Sequence, residues 1–275
     1  MKIIDRVIFC LTNNDKYIGF WNYISKLYRE KYDTIPTLMF SGSTDELNNL
    51  ITSGQISTKF GEIICLSRVD NILYDQNLDW TCTWGLFYGA SLFPNDICML
   101  SGIDQIPLND CFYKKMKDLD VESEYIVAFS DGYDHPGASY PSAHHVGYGK
   151  YYKEIYEIEN EWKNELNKIY SFRNKWFESY ATNFWGMDEA YSTFMINEYI
   201  ASNKNIKINL VKNFSKEWRV KKLDRAHGVI KVNEQLLSLI KNGYFNEYHS
   251  VRPFSLNENM DKIYDAIPSV NNTRK

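Results

Sequence analysis

Short apolar runs alternate with segments of helical periodicity in the first half of the chain. The runs predict buried strands at 7–12, 36–41, 63–69 and 97–101. Apolar positions at helical spacing between these runs predict helices over 18–32 and 45–53. Residues 80–93 are apolar nearly all round, which predicts a buried helix. Strands that alternate with helices favour an α/β fold with parallel pairing and helices on both faces of the sheet.

The second half has a different pattern. A strand is predicted at 124–129, and an irregular segment rich in Gly, Pro, Ser and His follows up to Gly149. So long an irregular segment is more typical of a site loop than of an idle connection. Further elements are predicted as helices over 151–177 (broken near Ser171), 188–201 and 232–241, a strand at 206–211 and a frayed tail after Ser269. Without repeats or low-complexity linkers, we expect one domain over 1–275.

Composition argues against some classes of function and indicates a cellular compartment. The net charge of −4 argues against a nucleic-acid surface, which needs a basic stripe. The five cysteines form no CxxC pair, and Asp5 and Arg6 interrupt the apolar start. We therefore expect reduced thiols, no signal peptide and a cytoplasmic location. No apolar run approaches the roughly 18 residues of a membrane-spanning helix, so no transmembrane segment is expected.

The segment SGIDQIPL, directly after the strand predicted at 97–101, is the first candidate for chemistry. Asp104 follows this buried strand, and Pro107 is expected to stop further sheet pairing. Open α/β folds bind ligands where the strands end, and a divalent cation with a diphosphate would suit a carboxylate there. The alternative is a turn in which Asp104 caps a backbone amide.

The segment FWGMDEA is the second candidate. Gly186 permits a tight turn, after which Asp188 or Glu189 opens a helix. The ring of Trp185 can stack on a sugar, and a carboxylate beside it can act as general base on a hydroxyl. The alternative is ordinary capping of the helix N-terminus.

Segment DRAHG is the third candidate. Arg225 can hold a phosphate through two parallel hydrogen bonds, and His227 can donate a neutral imidazole to a metal. A lone histidine is more often a surface or hydrogen-bonded residue, and the pair His144 and His145 has the same alternative. Neither a GxGxxG nor a GxxxxGK[ST] phosphate loop is present.

Together these segments resemble the GT-A glycosyltransferases, the nucleotide-sugar-dependent class, over roughly 7–228. SGIDQIPL is similar to the strand that carries the DxD motif, with Gly102 in place of the first Asp and Asp104 at the second. WGMDE is similar to the Trp-Gly-x-Asp/Glu segment that contacts the acceptor and can supply the base. His227 resembles the late histidine that ligates the metal.

The resemblance implies a GT-A-like fold, with a mostly parallel central sheet flanked by helices and a mixed second half. It divides the chain into a part that binds the nucleotide-sugar (1–118) and a part that binds the acceptor (119–275). The implied site residues are Asn13, Asp15, Gly102, Asp104 and Arg225 for the donor, Trp185, Gly186, His144 and His145 for the acceptor, Asp188 or Glu189 for catalysis, and Asp104 and His227 for Mn²⁺ or Mg²⁺.

Gly102 leaves two ways to bind the donor. Asp104 and His227 would hold a divalent cation, or Arg225 with Lys221 or Lys222 would supply the positive charge without a metal. The expected activity is that of a hexosyl- or pentosyltransferase acting on a carbohydrate or glycoconjugate acceptor. The open alternatives are an inactive GT-A-like protein that binds carbohydrate or nucleotide, and a structural α/β protein.

Overall fold

The computed structural model describes residues 3–66, 78–128, 139–177, 187–202, 204–211 and 221–269. The strands are β1 (Arg6–Leu11), β2 (Ile35–Phe40), β3 (Glu62–Cys65), β4 (Ile97–Leu100), β5 (Gln105–Pro107), β6 (Glu124–Ala128), β7 (His145–Tyr148), β8 (Lys207–Val211), β9 (Lys222–Asp224) and β10 (Glu247–His249). The helices are α1 (Asp15–Ile18), α2 (Phe20–Lys31), α3 (Thr44–Thr52), α4 (Leu78–Ser91), α5 (Cys111–Lys117), α6 (Gly149–Ile155), α7 (Trp162–Phe177), α8 (Met187–Ala201), α9 (Glu234–Lys241) and α10 (Met260–Ala266), with 3₁₀ turns at Arg225–His227 and Phe254–Leu256.

A seven-stranded sheet forms the centre of the fold, in the order β3-β2-β1-β4-β7-β6-β8. Strands β3, β2, β1 and β4 are parallel, and β6 is parallel to β8. Strand β7 is antiparallel to both of its neighbours. The predicted α/β fold with a mostly parallel sheet flanked by helices is therefore confirmed, and the mixed pairing lies in the second half of the chain.

Successive residues of each strand point to opposite sides of the sheet. Both faces therefore carry apolar side chains, and helices cover both. In β1, Val7 and Phe9 belong to one core and Ile8 to the other. Helix α4, predicted to be buried from its apolar sequence, packs closely on the second face. A Cβ atom on its Gly89 would lie 2.5 Å from Met39 Cγ, so glycine permits this close approach.

A second, three-stranded sheet has the order β5-β10-β9. Strand β5 pairs antiparallel with β10, and the pairing includes Pro107 opposite Glu247. The expectation that Pro107 stops further pairing is thus wrong, although β5 ends at this residue. The small sheet joins β5, from the part assigned to the donor, to β9 and β10, from the part assigned to the acceptor.

Two other predictions from the pattern are wrong in their details. The helix predicted over 151–177 is two helices, α6 and α7, and Ser171 lies within α7 rather than at the break. The chain turns at Glu157, whose φ is 50°, and the buried Glu165 carboxylate accepts the Glu159 N–H at 2.6 Å. The segment predicted to be irregular up to Gly149 contains β7.

Several expected features lie outside the described residues, namely the end of the third predicted strand, the first part of the irregular segment (130–138) and the tail after Ser269. In the part of the chain that is described, no helix combines the length and the apolar character needed to cross a bilayer.

Candidate functional site

The segment that follows β4 contacts strand β1 and the segment that precedes β7 at one edge of the large sheet. Ser101 N–H donates to the Ile8 carbonyl at 3.1 Å, and His144 N–H donates to the Leu100 carbonyl at 2.8 Å. Since β7 is antiparallel to β4, its first residues lie where β4 ends. This carboxyl edge of the parallel strands is where open α/β sheets bind their ligands.

Asp104 lies at this edge among positively charged side chains. Its Oδ2 accepts from Arg225 Nη1 at 2.7 Å and is 2.8 Å from Arg252 Nε. His249 Nε2 lies 3.4 Å from the same oxygen. Only 7% of Asp104 is exposed, so these partners, rather than water, surround its carboxylate. We refer to Asp104, Arg225, Arg252 and His249 as the arginine cluster.

Arg252 connects the arginine cluster to the segment after β1. Its Nη1 donates to the hydroxyl of Tyr17 in α1, and its guanidinium lies 4.7 Å from the centre of that ring. The two donor candidates in this segment, Asn13 and Asp15, are both exposed. Asn13 Nδ2 is 3.5 Å from Glu46 Oε1, a weak contact that a ligand can replace. The role of Asn13 and Asp15 as donor contacts stays a prediction.

Charged side chains continue from the arginine cluster across the small sheet. Glu247 lies 3.3 Å from both Lys222 Nζ and His144 Nε2, and His249 Nδ1 lies 3.7 Å from Asp224. Burial alone would raise the pKa of Glu247, but the hydrogen bond and charge of His144 and the charge of Lys222 outweigh it and hold this pKa at about 2. Glu247 is therefore ionised at neutral pH and paired with Lys222.

The residues around Asp104 do not fit the predicted divalent metal. Within the described ranges, no group of three or more His, Cys, Asp and Glu side chains is placed to hold one. The side chain of His227, the other predicted ligand, lies outside the described residues. Two guanidinium groups already contact the Asp104 carboxylate, and like charges this close would repel a divalent cation. Gly102, which stands in place of the first Asp of the DxD motif, has no side chain to offer a metal, and its N–H donates to Gln105 Oε1 at 3.1 Å.

Asp188, in the first turn of α8, contacts the segment that precedes β7. Its Oδ2 accepts a hydrogen bond from the hydroxyl of Ser142, which precedes β7. Burial, with 9% of the residue exposed, raises the pKa of Asp188, and hydrogen bonds from Ser142, Thr83 and the backbone amides of Asp188 and Glu189 offset this only in part. Asp188 thus caps its helix and also lies close to the segment that pairs with the end of β4.

The other predicted residues of the FWGMDEA segment have different outcomes. Glu189 follows Asp188 in α8 and is half-buried. Trp185 and Gly186 lie outside the described residues, so the predicted stacking of an acceptor sugar on Trp185 stays a prediction.

The two candidate acceptor histidines are buried instead. His145 is 0% exposed, and its Nδ1 lies 2.9 Å from the Tyr125 hydroxyl and 3.2 Å from the Tyr156 hydroxyl. His144 is 8% exposed and joins β7 to Glu247 of the small sheet. Neither position fits direct contact with an acceptor, because both rings pack inside the protein.

Arg252, His249 and Tyr17 were not predicted as site residues. A signal for two of them exists in the segment EYHSVR, where Glu247 and His249 alternate with apolar Tyr248 ahead of Arg252. Such alternation is typical of a strand with one polar face. The strand is only three residues long, and its partner β5 comes much earlier in the chain, so the pattern did not indicate which charges it would meet.

The fold and the site together define an α/β protein with a charged site at the carboxyl edge of its parallel strands. No protein-family model matches the chain, and no curated protein matches its sequence.

Proposed function

We propose that this chain is a glycosyltransferase with a GT-A-like fold, which moves a sugar from a nucleoside-diphosphate donor to a hydroxyl of a carbohydrate or glycoconjugate. The observation that supports the proposal is that two different groups contact segments lying where the parallel strands end. The arginine cluster supplies positive charge for a departing diphosphate. A buried carboxylate with a raised pKa, that of Asp188, supplies a base.

To bind the donor, the protein must neutralise the charge of the diphosphate and contact the nucleoside. Arg225 and Arg252 would contact diphosphate oxygens, because guanidinium groups match the geometry of phosphate. The exposed Asn13 and Asp15, joined to the cluster through Tyr17 in the adjoining α1, would contact the base or ribose. Neutralising the leaving group lowers the barrier to breaking its bond to the sugar.

Asp188 would remove the proton of the acceptor hydroxyl in a reaction that inverts the anomeric centre. A general base works best when its pKa approaches the working pH, and burial shifts the pKa of Asp188 in that direction. The Ser142 hydroxyl marks a position from which an O–H group donates to this carboxylate. An acceptor hydroxyl that replaced Ser142 there would be in hydrogen-bond reach of the base.

The test compares Asp188→Asn with Glu189→Gln, which makes the same chemical change one residue away. Transfer and hydrolysis are measured with a panel of UDP- and GDP-sugars, and donor binding is measured by thermal shift. We expect Asp188→Asn to lower turnover by roughly 10²- to 10⁴-fold, the usual contribution of a general base, while donor binding stays the same. Glu189→Gln should keep its turnover. Full activity in Asp188→Asn would refute the assignment of the base.

The hydrogen bonds of Asp188 favour a second candidate, a GT-A-like protein that binds nucleotide without transferring sugar. The carboxylate is already engaged by Ser142 and by the amides of its own helix, as in a structural cap. Nucleotide binding without any hydrolysis or transfer of sugar would favour this candidate. Failure of every nucleotide to shift the melting temperature would favour a structural α/β protein.

A further inference from the structure

We infer that Arg225 and Arg252, in place of a divalent cation, neutralise the diphosphate of the donor. This inference rests on the proposed function and deepens it. It follows from the charges around Asp104, since the residues there do not fit a metal and do fit an anion.

The charged groups in direct contact with the Asp104 carboxylate are positive. One oxygen of this carboxylate lies 2.7 Å from Arg225 Nη1 and 2.8 Å from Arg252 Nε. Arginine stays protonated at any working pH, so two positive charges share one negative charge. The neighbouring carboxylates, Asp224 and Glu247, lie next to Lys222, at 3.9 Å and 3.3 Å. These six side chains carry three positive and three negative charges, and the two positive charges in contact with Asp104 are those that an anion bound at this carboxylate would meet.

Both guanidinium groups retain donors for a ligand. Each has five N–H groups. Among the described residues, Arg225 donates to Asp104 through Nη1, and Arg252 uses Nε and Nη1 on Asp104 and Tyr17. The side chains are 32% and 20% exposed, so their remaining N–H groups are within reach of a bound diphosphate.

Asp104 acts in this arrangement as a positioning residue. A guanidinium held at two points, as Arg252 is by Asp104 and the Tyr17 hydroxyl, loses little further freedom when it binds an anion. A metal at the same carboxylate would have to displace at least one arginine and leave its charge beside the ion. The same acidic residue that resembles a metal ligand in sequence thus orients two cations.

The experiment measures binding of UDP and GDP to the full chain by calorimetry, in excess EDTA and in Mn²⁺. The variants are Arg225→Gln and Arg252→Gln. The control is Arg29→Gln, which removes the same charge from an exposed position near the end of α2, at the opposite edge of the sheet. We expect the unmodified chain to bind UDP or GDP in EDTA. In each cluster variant the Kd for the nucleotide should increase about tenfold to a hundredfold, the usual effect of losing a charged hydrogen bond. Arg29→Gln should bind like the unmodified chain, and inorganic pyrophosphate should compete with the nucleotide.

The outcomes separate this inference from the proposed function. Binding that requires Mn²⁺ would overturn the inference and leave the proposed function intact. Binding in EDTA that is unchanged in both cluster variants would also overturn it. Absence of nucleotide binding in both conditions would contradict the proposed function and the inference with it. Melting temperatures of all variants check folding. Arg225→Lys or Arg252→Lys, which keeps the charge but not the planar fork, replaces the glutamine variant at the same position if that variant fails to fold.

Discussion

Protonation of one buried histidine should make this fold sensitive to acid. The His145 ring is fully buried, and its Nε2 faces the Pro141 carbonyl. A carbonyl only accepts, so Nε2 carries the hydrogen and Nδ1 is left to accept from the Tyr125 hydroxyl in the neutral ring. Burial lowers the pKa of His145 from 6.5 to about 3, and the His144 charge adds to this effect while the Pro141 hydrogen bond opposes it.

The size of the effect follows from the two pKa values. Between pH 6.5 and pH 3, the unfolded chain binds a proton at this histidine and the folded chain does not. Stability from this group is therefore full above the unfolded pKa and is lost as the pH falls below it. Proton linkage gives a loss of about 2 kcal/mol in the free energy of unfolding between pH 7.5 and pH 5.0.

Urea denaturation at these two pH values, for the unmodified chain and His145→Gln, measures this loss. Glutamine does not titrate, and its amide N–H₂ can replace the Nε2–H donor to the Pro141 carbonyl. Because all other titrating groups are shared, the difference between the two pH dependences isolates His145. We expect the unmodified chain to lose about 2 kcal/mol more than the variant. Equal pH dependences would refute the reasoning, as would an NMR titration in which His145 gains its proton near pH 6.5.

Two further predictions concern glycines. Gly149→Ala should lower the free energy of unfolding by about 2–3 kcal/mol in urea denaturation, because its Cβ would lie 2.2 Å from the Phe93 carbonyl oxygen, which belongs to backbone that cannot easily move. Gly102→Asp should fold normally, since the atoms nearest to its Cβ, at 3.0 Å and beyond, belong to the flexible Gln105 side chain. That added carboxylate beside the arginine cluster should weaken binding of UDP or GDP in EDTA in a calorimetric titration, and tighter binding would contradict the inferred role of the arginines.

The elements that the sequence pattern predicted well are those whose burial is decided locally. Strands β1, β2 and β4 are short apolar runs in a sheet covered on both faces, and α4 is apolar all round because it packs on the sheet with one side and on other helices with the other. The burial of such segments follows from their own apolar sequence and does not depend on which distant residues they contact. Their bounds therefore agree with the pattern to within two residues.

Elements that depend on distant partners were missed or misplaced. Strands β9 and β10 have three residues each, too few for a period-two pattern to stand out. They are stabilised by pairing with each other, and β10 also pairs with β5. The break between α6 and α7 contains neither Gly nor Pro. It depends on Glu165, which lies in α7 and accepts a backbone hydrogen bond from Glu159 as well as one from Trp84 Nε1 at 3.1 Å.

In the candidate site, likewise, local sequence predicted the position of a residue but not its distant partners. The position of Asp104 past a buried strand is a local property, and the structure places it at the sheet edge as expected. Its partners come from the far end of the chain, where Arg225 follows β9 and Arg252 follows β10. A carboxylate among other acidic groups attracts a metal, whereas a carboxylate between two guanidinium groups fixes them in place. The sequence around Asp104 contains neither arginine. That local sequence therefore predicts where a diphosphate would bind but not which cation would neutralise the diphosphate.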